Sequence, residues 1–167
     1  MKYVSKKIDE MREKKININK FNFINKNKAL KIVHITNFNE RFDGRLFFNT
    51  GKRINNGFIR LGHSVLELSD RDVQKHYKKY NDLTGAKTLN SKLLKICENF
   101  KPNLIVLGHA DLISLNVLDN IKSKYNIFIC QWFLDPLIKD GPDYLRNKKR
   151  ILDKYKILDA NFMTTSP

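Results

Sequence analysis

Apolar residues along this chain alternate between short runs and longer stretches of helical periodicity. Lys31–Ile35 is an apolar run with the length of a buried strand. A polar loop from Thr36 to Arg45 follows. A helix then spans about Phe47 to Leu61, with Phe47, Ile54, Phe58 and Leu61 on one face. Gly62 stands where a helix-ending glycine belongs. His63–Leu68 reads as the second strand and Ser69–Lys87 as a long polar connection. Leu89, Leu93, Ile96, Cys97 and Phe100 mark a second helix, closed by Pro102. Leu104–Leu107 is the third strand and ends at Gly108. Ser114 can cap a third helix that buries Leu115, Leu118, Ile121 and Tyr125. Ile127–Phe133 is apolar almost throughout, as a central parallel strand is. Pro142 opens a fourth helix through Tyr155, and Ala160–Met163 is a fifth strand.

This regular alternation predicts an α/β fold: a Rossmann-like parallel sheet of about five strands, flanked by helices and joined by right-handed crossovers. Such sheets bind ligands at the carboxyl ends of their strands, near the point where the strand order reverses. That rule selects the loops at residues 36–45, 69–72, 108–111 and 134–141. The domain is expected over 29–167, preceded by a basic N-terminal extension over 1–28. Within the extension, Val4, Ile8 and Met11 recur at helical spacing, which suits a short amphipathic helix. The Asn- and Lys-rich stretch from Ile16 to Phe23 is either an arm packed on the domain or disordered chain.

Composition narrows the class. The 167 residues suit one domain plus a tail, and 41% are hydrophobic, enough for a core without staples. The extension is basic from end to end and lacks the apolar segment of a signal peptide. No stretch approaches the roughly 18 apolar residues of a spanning helix. A cytoplasmic protein is expected, with peripheral contact at a membrane left open. Cys97 and Cys130 lie inside apolar runs with no ligand partners at metal spacing, so both are read as buried free thiols in a reducing compartment.

The formal charge of +15 allows a polyanion partner. Lys, Asn and Ile are abundant together, however, and Arg is not, which is the mark of AT-rich codon usage. Nucleic acid is therefore the weaker reading. Were it right, the protein would bind arbitrary DNA or RNA with a steep salt dependence, and weak binding at about 150 mM salt would return the charge to codon usage.

The chemistry-bearing residues collect on the selected loops. The first holds Asn37, Asn39, Arg41, Gly44 and Arg45, with Asn49 just beyond it. Arginines beside a flexible glycine before a helix suit an anionic or polar ligand. The alternative is a solvated loop whose arginines pair with Glu40 and Asp43. No G-x-G-x-x-G or P-loop pattern is present. Gly51 and Gly57, inside the first helix, imply tight packing or close approach of a ligand. Asp70 and Arg71 follow the second strand, where an acid can hold a ribose. His109 and Asp111 follow the third strand. A histidine there can act as general base toward a sugar hydroxyl, oriented by a carboxylate, or can be structural. Trp132 and Asp135 close the fourth strand and suit sugar stacking and hydroxyl recognition, or a core tryptophan and an Asp-Pro turn. Lys75–Tyr80 is basic and aromatic, and reads as a solvated loop ahead of the alternative, a stretch that tracks a polyanion. His34 and His63 are read as structural. No metal-ligand spacing is present.

Together these segments resemble the N-terminal domain of GT-B type, family-1-like glycosyltransferases, in particular the spore-maturation-protein-like group. The likeness rests on four segments: Lys31–Ile35 with Gly44-Arg45 and Asn49–Phe58, the step Arg60-Leu61-Gly62-His63-Ser64-Val65, the strand entry Phe100–His109, and Trp132–Pro136. Asn103 stands where the family's strand entry usually carries an acid. The resemblance covers about residues 30–167. It implies a two-domain enzyme whose N-terminal half binds the sugar acceptor, of unknown class here. A C-terminal domain, missing from this sequence, would hold the nucleotide-sugar as co-substrate, with no bound cofactor or metal. A half of this kind is expected to be inactive or nearly so alone. The alternative is a non-catalytic, flavodoxin-like binding module.

Overall fold

A computed structural model describes residues 28–164. The expected short helix and arm within residues 1–28 lie outside the described residues, save Lys28.

Five strands form one wholly parallel sheet: β1 (Lys31–Thr36), β2 (Ser64–Ser69), β3 (Leu104–Leu107), β4 (Phe128–Phe133) and β5 (Ala160–Met163). Their order is β2-β1-β3-β4-β5. Five helices connect them: α1 (Thr50–Arg60), α2 (Asp70–His76), α3 (Ala86–Phe100), α4 (Leu115–Lys124) and α5 (Tyr144–Lys154), with a short 3-10 turn at Glu40–Phe42. The chain winds one way from β1 to β2 and the other way from β2 onward. Right-handed crossovers therefore put α1 on one face of the sheet and the later helices on the other. The winding reverses between β1 and β3, and this is the Rossmann-like α/β arrangement that the alternation predicts.

Strand alternation divides the core accordingly. Val33, Ile35, Ile105, Leu107 and Ile129 pack against Leu89, Leu93 and Cys97 of α3 and Leu118 and Ile121 of α4. On the other face, Leu30, Ile32, Val106 and Cys130 form a smaller cluster with Trp132 and, from α1, Phe58. Burial pushes the Cys97 thiol up to about 11 and the Cys130 thiol up to about 12, so both are inert hydrophobes.

Thr36 at the end of β1 sits in a crowded position. A Cβ on Gly51 would lie 2.6 Å from Thr36 Cγ2, and one on Gly108 would lie 2.5 Å from Thr36 Oγ1 and 3.1 Å from the Trp132 ring. The missing side chains let the first turn of α1 and the end of β3 close on Thr36 together. Gly57 differs: a Cβ there meets open space.

Three expectations about elements change. First, α1 starts at Thr50, because residues 43–48 form exposed turns and Asn49 caps the helix, its Oδ1 accepting from Lys52 N–H at 2.9 Å. The buried positions of α1 are Gly51 and Asn55, while Phe47 and Leu61 are exposed. The inward face is small and polar at Gly51 and Asn55, and of the apolar residues expected there Phe58 packs on the small cluster whereas Phe47 and Leu61 do not. Second, the polar connection after β2 contains α2. This helix is seven residues long and buries one apolar side chain, Val73, too few to register as a period. Third, Leu115 of α4 is exposed, although Ser114 caps that helix as expected.

The glycines give a paired test. Gly57→Ala should stabilise by about 0.5–1 kcal/mol through helix propensity. Gly51→Ala should destabilise by about 1–3 kcal/mol through overpacking, with partial recovery in Thr36→Ala. Chemical denaturation of Gly57→Ala, Gly51→Ala, Thr36→Ala and the Gly51→Ala/Thr36→Ala double variant decides it. Equal effects at Gly51 and Gly57 would contradict the crowding at Thr36.

Candidate functional site

Two groups of polar side chains flank the reversal point, one buried and one open to solvent. The buried group is a directed chain of hydrogen bonds. Trp132 Nε1–H donates to His34 Nε2 at 3.1 Å, which leaves the imidazole proton on Nδ1 to donate to Asn55 Oδ1 at 3.2 Å. Asn55 Nδ2 donates to Glu67 Oε1 at 2.7 Å, and Lys52 Nζ donates to both oxygens of the same carboxylate, at 2.6 and 2.8 Å. The chain ties β4, β1, α1 and β2 across one sheet face. His34 is fully buried, and burial brings its pKa down to about 4, against a weaker upward pull from Asn55. Its neutral form is thus the native one, and the structural reading of His34 holds. Trp132 is half-buried and spends its N–H on this chain.

The loop after β1 is held from within. Asn37 Nδ2 donates to Asn39 Oδ1, and Asn49 Nδ2 donates to the carbonyls of Phe38 and Leu46. Arg41 pairs with Asp72 at 2.9 Å, not with Glu40 or Asp43. Burial alone would raise the Asp72 carboxyl. Hydrogen bonds from Ser69 Oγ, from the Glu40 and Arg41 amides and from the Arg41 guanidinium outweigh it and hold the group below its ordinary range. Gly44 (φ +86°) and Arg45 stay exposed, with Arg45 stacked over Phe42. Asp70 is buried at the start of α2 and bonds the Arg71 amide, and its burial pushes the carboxyl up.

The solvent-facing group gathers side chains from four elements. His109, beyond β3, meets Asp135, beyond β4, with Nε2 to Oδ2 at 3.2 Å. Arg71 of α2 stands 3.4 Å from His109 Nδ1. An arginine can only donate, so Nδ1 accepts and the neutral imidazole keeps its proton on Nε2, toward Asp135. Arg150 of α5 reaches Asp111 at 2.8 Å and Asp135 at 3.5 Å. The carboxylate meeting His109 is therefore Asp135, and Asp111 belongs to Arg150. Ala110, between them, has φ +45°, a strained conformation for a side-chain-bearing residue. The His109 ring also packs on Phe133 at 5.3 Å between centroids. Burial, then Arg150 and Arg71, lower the His109 pKa, while Asp135 and Asp111 raise it; the net shift is downward. His109 is accordingly neutral at pH 7 and still 24% exposed.

Of the residues expected from sequence, Asp70, Arg71, His109, Asp111 and Asp135 come together here. Asn37, Asn39, Arg41, Gly44, Arg45 and Asn49 form the neighbouring loop, knit mainly to itself and to α2. Sequence reasoning missed Arg150 and Lys154. Asn147, Arg150, Ile151 and Lys154 fall at the spacing of a buried helix face, and Asn147, Ile151 and Lys154 are buried. A polar inward face at that spacing was the available signal. Lys154 is only 4% exposed, and its pKa is lowered chiefly by burial. Among the described residues no group of His, Cys, Asp and Glu is arranged to hold a metal ion, and no helix is long and apolar enough to cross a membrane. No family model matches the chain, and a search of curated proteins returns no match.

His34 sets a pH dependence. Above pH 6.5 neither native nor unfolded chain carries its proton. Below that, the unfolded chain takes one up and the native chain does not until about pH 4. Stability should therefore fall by roughly 3 kcal/mol of His34 contribution as pH drops from about 6.5 to about 4. Denaturation curves at several pH values should show that component vanish in His34→Gln. Its persistence would contradict the assignment.

Proposed function

We propose that this chain is the acceptor-side half of a GT-B type, family-1-like glycosyltransferase, with His109 as general base for a sugar-accepting hydroxyl. The observation that carries the reading is the His109–Asp135 contact at the carboxyl edge of the sheet, next to the winding reversal. Asp135 holds the Nε2 proton and so directs the Nδ1 lone pair outward. An acceptor hydroxyl takes the place of the Arg71 guanidinium on Nδ1 and gives up its proton there. Its oxygen then attacks the anomeric carbon of the donor. The bond from that carbon to the nucleotide diphosphate breaks, and the diphosphate leaves with the electron pair. Arg71 remains within reach as a donor to the acceptor. In this reading Trp132 and the loop of Asn37, Asn39, Arg41, Gly44, Arg45 and Asn49 meet the acceptor from the β1 side, while Asp70 anchors the Arg71 amide and Asp111 pairs with Arg150. The nucleotide-sugar is supplied by a second domain.

The first check is the intact mass of the protein from its source cells. A mass roughly twice 19.7 kDa supports a two-domain transferase, whereas 19.7 kDa itself favours a binding module without catalysis. In the two-domain protein, His109→Gln should lower kcat for sugar transfer by about 10²–10⁴ with little change in acceptor KM. The acid limb of the pH–rate profile should inflect below pH 6.5, since the base must be neutral and its pKa is lowered. Asp135→Asn should move that inflection further down, because it removes the charge that most raises His109. Unchanged kcat in His109→Gln would end the general-base reading.

A further inference from the structure

The segment entering α1 is unusual for a surface turn. Residues 43–48 are all exposed, and three of them are consecutive large apolar side chains: Leu46 at 42%, Phe47 at 47% and Phe48 at 75% exposure. The two phenyl rings pack edge to face, 5.1 Å apart, so they stand as one unit. Nothing in the packing of the core requires them: neither belongs to a buried cluster. Four cations lie close to them in sequence: Arg41, Arg45, Lys52 and Arg53. Arg41 and Lys52 are committed to Asp72 and Glu67. Arg45 and Arg53 are exposed and form no ion pair among the described residues. Arg45 lies over the Phe42 ring and Lys52 over the Phe47 ring, so the aromatic crest has cations beside it.

We propose that this crest docks the protein on an anionic membrane surface. Exposed aromatics with cations beside them match a bilayer interface, where rings enter the headgroup region and guanidinium groups meet lipid phosphates. The net charge of +15 gives the long-range attraction toward anionic lipid, and the crest supplies the short-range contact that charge alone lacks. The β4–α5 loop, at the same carboxyl edge of the sheet, exposes Leu134 and Ile138, with Lys139 beside them, and the first turn of α5 exposes Leu145. Both loops thus offer apolar contact at one edge of the molecule. The proposal is independent of the reading of His109, because its readout is binding and not turnover.

The test is co-sedimentation of the full chain with vesicles of phosphatidylcholine alone, or with about 30% phosphatidylglycerol. Wild type should bind the anionic vesicles at least tenfold more tightly than the neutral ones. Phe47→Ser/Phe48→Ser keeps every charge and should weaken binding to anionic vesicles at least tenfold, with an unchanged melting temperature. Arg45→Glu/Arg53→Glu should weaken it by a similar factor and flatten its salt dependence. Absence of wild-type binding would overturn the proposal. So would undiminished binding of Phe47→Ser/Phe48→Ser, which would place the contact on basic residues elsewhere. A dimer that this aromatic variant dissociates, without vesicle binding, would assign the crest to a second copy of the chain and overturn it equally.

Discussion

Thr36 ends β1 where the sheet reverses its winding, and α1 and β3 press on it from two sides. Neither Gly51 nor Gly108 can carry a side chain without displacing it. This close approach brings the start of α1 down onto the sheet edge and leaves room for Trp132 to lean across Gly108 toward His34. Much of the architecture near the site follows from that geometry. With α1 seated, Asn55 faces His34, and Lys52 and Asn55 both face Glu67. A fully hydrogen-bonded polar chain then replaces the apolar packing that a helix normally uses. The cost is stringency: each member of the chain depends on the next, and a neutral histidine must stay neutral.

Two histidines near the reversal point do opposite work through opposite tautomers. His34 carries its proton on Nδ1, is fully enclosed, and joins elements. His109 carries its proton on Nε2, toward Asp135, and keeps a lone pair at an accessible edge. The difference lies in neighbours rather than in the residue. His34 accepts from an indole and gives to an amide, whereas His109 lies between two arginines and two carboxylates that pull its pKa in opposite directions. Burial is the largest influence and the net shift is downward, so a neutral imidazole results.

The strand pattern was legible because buried parallel strands are apolar on both faces, and all five runs became strands within a residue or so of their expected bounds. Where side chains near the site are polar, sequence periodicity lost its meaning. α1 buries Gly51 and Asn55 and packs Phe58 on the sheet, while Phe47 before the helix and Leu61 after it are exposed, so the apolar face read from sequence holds only in part. α2 buries Asp70 and Asp72 beside Val73, and looks like loop. The candidate residues at strand ends were legible from topology alone, since the carboxyl-edge rule selects loops before any chemistry is considered. Their pairing was not. Arg150 reaches Asp111 and Asp135 only because α5 folds back over the edge, a contact made across 39 residues in the case of Asp111.

In this arrangement His109 is a neutral imidazole held by Asp135, with Nδ1 bare and facing Arg71. Imidazole ¹⁵N NMR of the labelled chain at pH 7, assigned with His34→Gln and His109→Gln, tests this directly, because protonated and bare ring nitrogens differ widely in shift. The account predicts a neutral His109 with its proton on Nε2, and a neutral His34 with its proton on Nδ1. A His109 that is charged at pH 7, or protonated on Nδ1 alone, would contradict it.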